Sequence, residues 1–225
     1  MSKLVVFDVD GTILDSLAHL DRIAEEYSRG KGLPMPDTSA IRHGYGSPRN
    51  HDFGWGVERE EQVRHLSGVF ELMDSRSVSG LAHETPLLYD GVHETLVHLK
   101  DLGHTLAIVT SKSEDPLLHL LDHHKARNMF SAYRTYNDID RRGEKEKPAP
   151  DMLQSVMREL KFAADETAMV GDTTMDILMG RAAGTGTIGV AWGAHPKEHL
   201  EKAGAHHIVD THFNDIVLTV KKIFS

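Results

Sequence analysis

The sequence predicts an α/β fold in which a parallel sheet carries helices on both faces. From residue 86 onward, short apolar runs alternate with amphipathic segments, as in parallel strands joined by helical crossovers. Apolar residues make up 40% of the 225 residues, which is enough for a sizeable core. The stretch from about Ser16 to Thr85 has helical patterns only. We therefore expect a sheet domain of residues 1–15 and 86–225, into which a helical cap domain of residues 16–85 is inserted.

The predicted strands are short runs of β-branched and other apolar residues. They are Leu4–Phe7, Thr105–Val109, Ala168–Val170, Thr187–Val190 and Ile208–Val209, with a weaker candidate at Tyr133–Tyr136. Helices with one apolar face are predicted between and after them. Their stripes are Val92, Leu96 and Leu99; Leu153, Val156, Met157 and Leu160; and Phe213, Ile216, Val217 and Val220. The charged run Arg141–Lys147 is predicted to be an exposed loop.

The predicted insertion contains two helical stripes. The first is formed by Leu17, Leu20, Ile23, Ala24 and Tyr27 and ends near Gly30 and Gly32, and the second by Val63, Leu66, Phe70 and Met73. A segment punctuated by glycine and proline, residues 34–56, lies between them. Two helices joined in this way predict a small helical domain.

Composition excludes several classes of function. A formal charge of −9 argues against a nucleic-acid backbone or an anionic membrane as the main partner. The chain has no cysteine, so disulfides, thiolate metal sites and cysteine nucleophiles are impossible. Its 16 histidines lack the spacing of zinc ligands and are predicted to be scattered over the surface. No targeting segment is visible, and no run approaches the roughly 20 apolar residues of a membrane span, so we expect a cytoplasmic protein.

The first candidate site follows the first predicted strand. Asp8 and Asp10 lie two residues apart there, and Gly11 allows the chain to turn sharply. Ligands of open parallel sheets bind beyond the carboxyl ends of the strands, so these two acids are well placed for chemistry. A plain Asp-Gly turn is the alternative interpretation.

Three further strand ends or helix starts carry polar residues. Thr110 and Ser111 follow the second strand, where a hydroxyl can donate to a phosphate oxygen; a helix cap is the alternative. Lys147 precedes a proline-started helix and is otherwise a solvated charge. Asp172 and Asp176 follow another apolar run, although Asp172 alone would also suit a helix N-cap.

These signals gain weight because they occur together. Carboxylates that converge on one sheet edge repel each other unless a cation lies among them, and oxygen ligands favour Mg²⁺. A lysine and a hydroxyl would complete a site for phosphoryl transfer, where positioning and charge neutralisation do most of the work.

At this point the sequence resembles the haloacid dehalogenase-like superfamily of hydrolases. The resemblance covers four motifs in order: the run Phe7 to Thr12, then Thr110, then Lys147, then Gly171 to Thr173 with Asp176. The insertion resembles the helical cap of the phosphoglycolate phosphatase-like branch. The resemblance implies a Rossmann-like core and a phosphatase. Two departures, Ser111 where asparagine is common and Tyr89-Asp90-Gly91 where Pro-Gly is common, leave the particular enzyme open.

The resemblance also implies a role for each matched residue. Asp8 would be the nucleophile, Asp10 the general acid and base, Thr110 a phosphate ligand and Lys147 the neutralising cation. Mg²⁺ would be held by Asp8, by the backbone carbonyl of Asp10 and by Asp172, with Asp176 as a further ligand or a partner of Lys147. Backbone N–H groups of Val9 and Ser111 would donate to the phosphate.

The presence of Asp10 disfavours dehalogenation and phosphonate cleavage, because family members with those activities lack this acid. The resemblance therefore implies a phosphatase for a small phosphorylated metabolite. A sugar phosphomutase of the beta-phosphoglucomutase type and a non-catalytic phosphate-binding module are the alternatives. Arg49, in the cap segment, would meet a second anionic group of the substrate, or else is a solvated loop residue. The oligomeric state stays open.

Overall fold

A computed structural model describes residues 2–44, 53–79 and 85–225 of the chain. Eight strands are described: β1 (Leu4–Phe7), β2 (Leu14–Asp15), β3 (Leu87–Leu88), β4 (Thr105–Val109), β5 (Ala132–Arg134), β6 (Thr167–Gly171), β7 (Gly186–Val190) and β8 (His207–Val209). The described α-helices are α1 (Leu17–Lys31), α2 (Thr38–Gly44), α3 (Arg59–Ser77), α4 (Val92–Asp101), α5 (Glu114–His123), α6 (Asn137–Arg142), α7 (Asp151–Leu160), α8 (Thr174–Ala183), α9 (Lys197–Lys202) and α10 (Asp215–Ile223).

The central sheet has six parallel strands in the order β5-β4-β1-β6-β7-β8. The first strand lies between β4 and β6, so the chain builds the sheet outward from β1 on both sides. This is the topological switch point at which open α/β sheets bind their ligands. The predicted fold class, a parallel sheet with helices on both faces, is confirmed.

Helices cover both faces of the sheet because successive side chains of each strand point to opposite sides. Val5 and Phe7 pack into a cluster with residues of α4, α5 and α10. Leu4 and Val6 pack into a second cluster with residues of α7 and α8. All four side chains of β1 are fully buried, which explains why this strand is a continuous apolar run instead of an alternating one.

The helices α1, α2 and α3 surround an apolar cluster of their own. Its buried members are Leu20, Ile23, Ala24, Ile41, Phe53, Trp55, Leu66, Val69 and Met73. The hydroxyl of Ser28 accepts from the indole N–H of Trp55 at 2.8 Å, so the largest side chain of this cluster has its polar group satisfied. Gly32 ends α1 in the left-handed conformation, close to the predicted stop.

A short two-stranded ribbon lies at the two ends of the segment that contains α1, α2 and α3. Here β2 and β3 pair antiparallel, with Leu14 opposite Leu88 and Asp15 opposite Leu87. The chain therefore leaves the sheet domain and returns to it at adjacent points.

Two sequence predictions about local structure were wrong. The run Arg141–Lys147 is not simply an exposed loop, because α6 extends to Arg142 and both Glu144 and Lys147 are buried. Their burial is possible because each faces an opposite charge, Arg134 in the case of Glu144. The histidines are not all at the surface either, since His19 and His195 are buried.

None of the helices within the described ranges combines the length and hydropathy that a bilayer crossing requires.

Candidate active site

The carboxyl ends of three adjacent strands bring the predicted residues together. Asp8 directly follows β1, Thr110 follows β4, and Asp172 follows β6. Since β1 lies between β4 and β6, these three positions are neighbours along one edge of the sheet. Lys147 reaches the same edge from the segment between α6 and α7.

Lys147 connects two of the predicted acids. Its ammonium lies 2.9 Å from Oδ1 of Asp8 and 2.6 Å from Oδ1 of Asp176. The second oxygen of Asp176 accepts from the backbone N–H of Thr173 at 3.1 Å and from its hydroxyl at 2.7 Å. Both oxygens of Asp176 are thus engaged by the protein, which fixes the carboxylate at the first turn of α8.

Asp172 is held from two sides. Its Oδ1 accepts from the hydroxyl of Thr12 at 2.8 Å, and its Oδ2 accepts from the backbone N–H of Ala194 at 2.7 Å. The helix N-cap of α8 is Thr173, which also forms a capping box with Asp176. The alternative interpretation of Asp172 as a helix cap therefore does not hold. Each of its oxygens accepts one of these hydrogen bonds and keeps a second lone pair for a cation.

Two glycines provide the space that the Asp172 carboxylate occupies. A Cβ at Gly11 would lie 2.2 Å from Oδ2 of Asp172, and a Cβ at Gly193 would lie 2.2 Å from its Cβ. Gly11 also has a φ of +74°, which most side chains avoid. Its place after Asp10 is thus required both by the turn and by the neighbouring acid.

The acids form a compact group with an excess of negative charge. Ligand oxygens of Asp8, Asp172 and Asp176 all lie within 4.8 Å of one another, and all three residues are buried. Only Lys147 among the described cations contacts any of the three, so the group carries two more negative charges than positive ones. A divalent cation would balance this excess, and carboxylate oxygens are ligands that suit Mg²⁺. The residues present therefore fit this ion.

The pKa shifts reflect this crowding. Burial raises the pKa of Asp8 to about 6 against the opposing charge of Lys147, and Asp176 adds to the rise. Burial also raises the pKa of Asp172, with contributions from the charges of Asp8 and Asp176. For Lys147, burial acts to lower the pKa, but the two carboxylates outweigh it and the pKa rises. The lysine is therefore charged at neutral pH.

Asp10 lies apart from this acidic group. Its Oδ2 is 3.2 Å from the ammonium of Lys112, and that ammonium also lies 3.0 Å from Oδ1 of Asp74. The sequence motifs assign no role to Lys112 or Asp74. Lys112 could have been noticed because it lies two residues after Thr110, whereas Asp74 belongs to an ordinary helical pattern and offered no signal.

A cavity of about 360 Å³ opens above these groups. The side of it that α3 forms includes Phe70, Glu71, Met73 and Asp74, and the opposite side includes Tyr136 and Met175. Asp8, Asp10, Thr110 and Lys147 line its floor, together with Ser111. The cavity has the size of a small-molecule site and lies between the sheet domain and α3.

The remaining predicted substrate contacts have different outcomes. Ser111 is exposed and lines the cavity. The side chain of Val9 is buried in the core, so only its backbone can face the site, where its N–H acts to lower the pKa of Asp8. Arg49 lies outside the described residues.

The fold and the acid cluster together define an α/β protein with a buried acidic centre at the sheet's switch point. The chain belongs to the haloacid dehalogenase-like hydrolases, because the model of that family matches residues 5–190. This confirms the family that the sequence motifs indicated and the prediction that the protein is an enzyme of the hydrolase class.

Relatives and solved structures agree with this assignment. The chain is 36% identical over 224 residues to "Probable phosphatase IndB" of Dickeya dadantii, with 96% of this chain and 93% of the relative covered. It is 27% identical over 220 residues to a phosphoglycolate phosphatase of Vibrio cholerae, with 92% of each covered. The crystal structure of a predicted phosphoglycolate phosphatase from Haemophilus somnus has the same fold, with a TM-score of 0.78, 21% identity and 97% of each chain covered.

Proposed function

We propose that the protein is a Mg²⁺-dependent phosphatase that hydrolyses a small phosphate monoester through a phosphorylated Asp8. The observation that carries this proposal is a group of three buried carboxylates, of which Asp8 lines the cavity together with Lys147. The names of the relatives, a phosphatase and a phosphoglycolate phosphatase, support the same reaction class.

The first step would form the aspartyl-phosphate. A carboxylate oxygen of Asp8 attacks the phosphorus atom, the bond from phosphorus to the leaving oxygen breaks, and Asp10 gives that oxygen a proton. Lys147 neutralises charge on Asp8 and on the phosphoryl group, and the Thr110 hydroxyl donates to a phosphoryl oxygen. Backbone N–H groups of Val9 and Ser111 donate to the remaining oxygens.

The second step would release inorganic phosphate. Asp10, now deprotonated, takes a proton from a water molecule as that water attacks phosphorus. The bond from phosphorus to the Asp8 oxygen breaks, which regenerates the carboxylate. One residue thus acts as acid and then as base, so Asp10 must reach both the leaving oxygen and the attacking water.

The metal ion would supply charge neutralisation and orientation of the phosphoryl group. We assign its ligands to Asp8, the backbone carbonyl of Asp10, and Asp172. Asp176 could add a ligand, but its oxygens already bond Lys147 and Thr173, which favours a supporting role.

We further propose that residues 16–85 form the cap over the site and select the leaving group. The separate apolar cluster of α1, α2 and α3 supports this division, as does the position of α3 along the cavity. The leaving group would contact Phe70, Met73, Tyr136 and Met175. Phosphate esters whose leaving group has an apolar surface should therefore bind better than esters whose leaving group has none. Arg49 stays a candidate for a second anionic group.

The test is phosphate release from a panel of esters, with Mg²⁺ and with EDTA. The panel includes phosphoglycolate, sugar phosphates, nucleoside monophosphates and pyrophosphate. Release that needs Mg²⁺, is lost in Asp8→Asn and is kept in Asp101→Asn supports the proposal, because Asp101 is exposed on α4 and has the same charge. Interconversion of sugar phosphates would instead identify a mutase. Mg²⁺ binding without any turnover would identify a binding module.

A further inference from the structure

We propose that Lys112 is a positioning residue that aims the carboxyl group of Asp10 and makes its position depend on helix α3 of the cap. This inference rests on the proposed phosphatase function, in which Asp10 is the acid and base. It assigns roles to Lys112 and Asp74, which lie outside the group of acids that fits a metal ion.

The ammonium of Lys112 joins two parts of the chain that are remote in sequence. It lies 3.2 Å from Oδ2 of Asp10, in the sheet domain, and 3.0 Å from Oδ1 of Asp74, on α3. The Lys112 side chain is 1% exposed, that of Asp10 is 5% exposed and that of Asp74 is 21% exposed. An ammonium can be buried when carboxylates balance its charge, as Asp10 and Asp74 do here. Removal of either carboxylate would lower the free energy of unfolding.

The backbone of Lys112 is fixed on both sides of its side chain. Its N–H donates to the hydroxyl of Thr110 at 3.2 Å, and its carbonyl accepts from the N–H of Tyr136 at 3.0 Å. The side chain therefore starts from a defined point at the end of β4. Burial acts to lower the pKa of Lys112, but Asp10 and Asp74 outweigh it, so the pKa is raised and the side chain stays cationic.

The two carboxylate oxygens of Asp10 have different surroundings. Oδ2 is held by Lys112, whereas Oδ1 is buried and has no hydrogen-bond partner within the part of the chain that the structure describes. Buried polar atoms normally have partners, and one without is expected where a substrate or water will bind. We therefore assign Oδ1 as the atom that transfers the proton, with Lys112 fixing which oxygen faces the substrate.

Asp74 makes this arrangement sensitive to the cap. It lies on the same helix as Phe70 and Met73, which line the cavity. When α3 covers the cavity, Lys112 is held between two carboxylates. If α3 moves away, Asp74 leaves with it, and Asp10 and Lys112 lose one of the contacts that fix their geometry. The acid would then be correctly placed only when the leaving group is enclosed, which protects the reaction from premature contact with water.

The test compares two esters whose leaving groups differ in their need for an acid. Nitrophenolate leaves p-nitrophenyl phosphate without a proton, whereas the alkoxide of an alkyl phosphate must be protonated. Formation of the aspartyl-phosphate is measured for both in single-turnover experiments with Mg²⁺. The variants are Lys112→Met, Lys112→Arg and Asp74→Asn, and the controls are Lys100→Met and Glu60→Gln, at two exposed positions outside the site.

We expect Lys112→Met to slow transfer from the alkyl ester about tenfold more than transfer from the nitrophenyl ester, a part of the roughly 10²–10⁴-fold effect of a positioned acid. Lys112→Arg should recover some of the loss. Asp74→Asn should show the same selective loss to a smaller degree. The double variant Asp74→Asn with Lys112→Met should be no slower than Lys112→Met alone, because both changes act through one ammonium.

Three results would overturn the assignment. Equal slowing of both esters would mean that Lys112 does not act through the acid, and a change in KM alone would mean that it binds the substrate directly. If the loss of rate in the double variant equals the product of the losses in the two single variants, Asp74 does not act through Lys112. If Lys112→Met fails to fold, Asp74→Asn carries the same comparison. A wild-type protein inactive on both esters would reject the phosphatase function itself, whereas an active wild type with uniform losses would reject only the role of Lys112.

Discussion

Replacement of Asp8 by asparagine is expected to stabilise the metal-free protein at neutral pH, even though it abolishes turnover. Asp8 is buried beside Asp172 and Asp176, and its pKa rises from 3.8 to about 6. Because a tenfold change in proton affinity corresponds to roughly 1.4 kcal/mol, the ionised Asp8 lowers the free energy of unfolding by about 3 kcal/mol. Domains of this kind are stable by roughly 5–15 kcal/mol, so the effect is measurable.

The direction of the pH dependence follows from the raised pKa. Between pH 3.8 and about 6 the folded protein keeps a proton on Asp8 that the unfolded chain has released. The wild-type protein therefore loses stability relative to Asp8→Asn as the pH rises through this window. Below this pH window Asp8 is protonated in both the folded and the unfolded protein and does not affect the free energy of unfolding. Above the window the wild-type protein stays less stable than Asp8→Asn by about 3 kcal/mol. The charge of Asp8 also helps to raise the pKa of Asp172, so Asp8→Asn should lower that pKa and increase the difference in the same direction.

Urea unfolding of both proteins from pH 4 to pH 7.5 in EDTA measures this difference. Asp101→Asn is the control, because Asp101 is exposed at the end of α4 and its replacement should give a flat difference. Added Mg²⁺ should stabilise the wild-type protein more than Asp8→Asn, since the ion binds only the folded site. A difference between wild type and Asp8→Asn that does not change with pH in EDTA would refute the reasoning.

Three further outcomes are expected. Asp10→Asn should lower steady-state turnover roughly 10²–10⁴-fold while calorimetry with Mg²⁺ shows unchanged binding of inorganic phosphate; normal turnover would remove Asp10 from the mechanism. Gly11→Ala and Gly103→Ala are both at positive φ. Gly103→Ala should lower the free energy of unfolding by roughly 1–2 kcal/mol, whereas Gly11→Ala should lower it further and abolish activity, because only there does the new Cβ clash with Asp172. Phe70→Ala should raise KM for esters with large leaving groups and spare the smallest ester, and a uniform change would place Phe70 outside the leaving-group contact.

The sheet was predictable because its strands are buried on both faces. Leu4–Phe7 and Thr105–Val109 match β1 and β4 at both ends, since central strands packed between two helical layers are mostly continuous apolar runs. The prediction of Tyr133–Tyr136 was shifted: β5 is Ala132–Arg134, at the edge of the sheet, and Tyr136 is 54% exposed. An edge strand has fewer neighbours to define its ends, so its pattern is weaker.

The candidate site residues were predictable from two signals, the ends of apolar runs and the family motifs. Asp8, Thr110 and Asp172 could be placed because each follows an apolar run. Lys147 follows no predicted strand and was identified through its motif alone, and its burial against Asp8 and Asp176 depends on tertiary contacts that no local pattern records. The same limit applies to Asp74, which reaches Lys112 from α3, in a distant part of the sequence.

The paired strands β2 and β3 have a consequence for how such a protein can diversify. Because Leu14 lies opposite Leu88, the segment between them can lengthen, shorten or be exchanged without moving the ends that it joins. The candidate catalytic acids Asp8 and Asp172 follow β1 and β6, outside that segment, and both apolar clusters of the sheet contain no described residue from the start of α1 to the end of α3. Under the proposed function, the contacts to the leaving group could therefore change while the acids stay in place, and Asp74 is the point at which such a change would also reach Asp10 through Lys112.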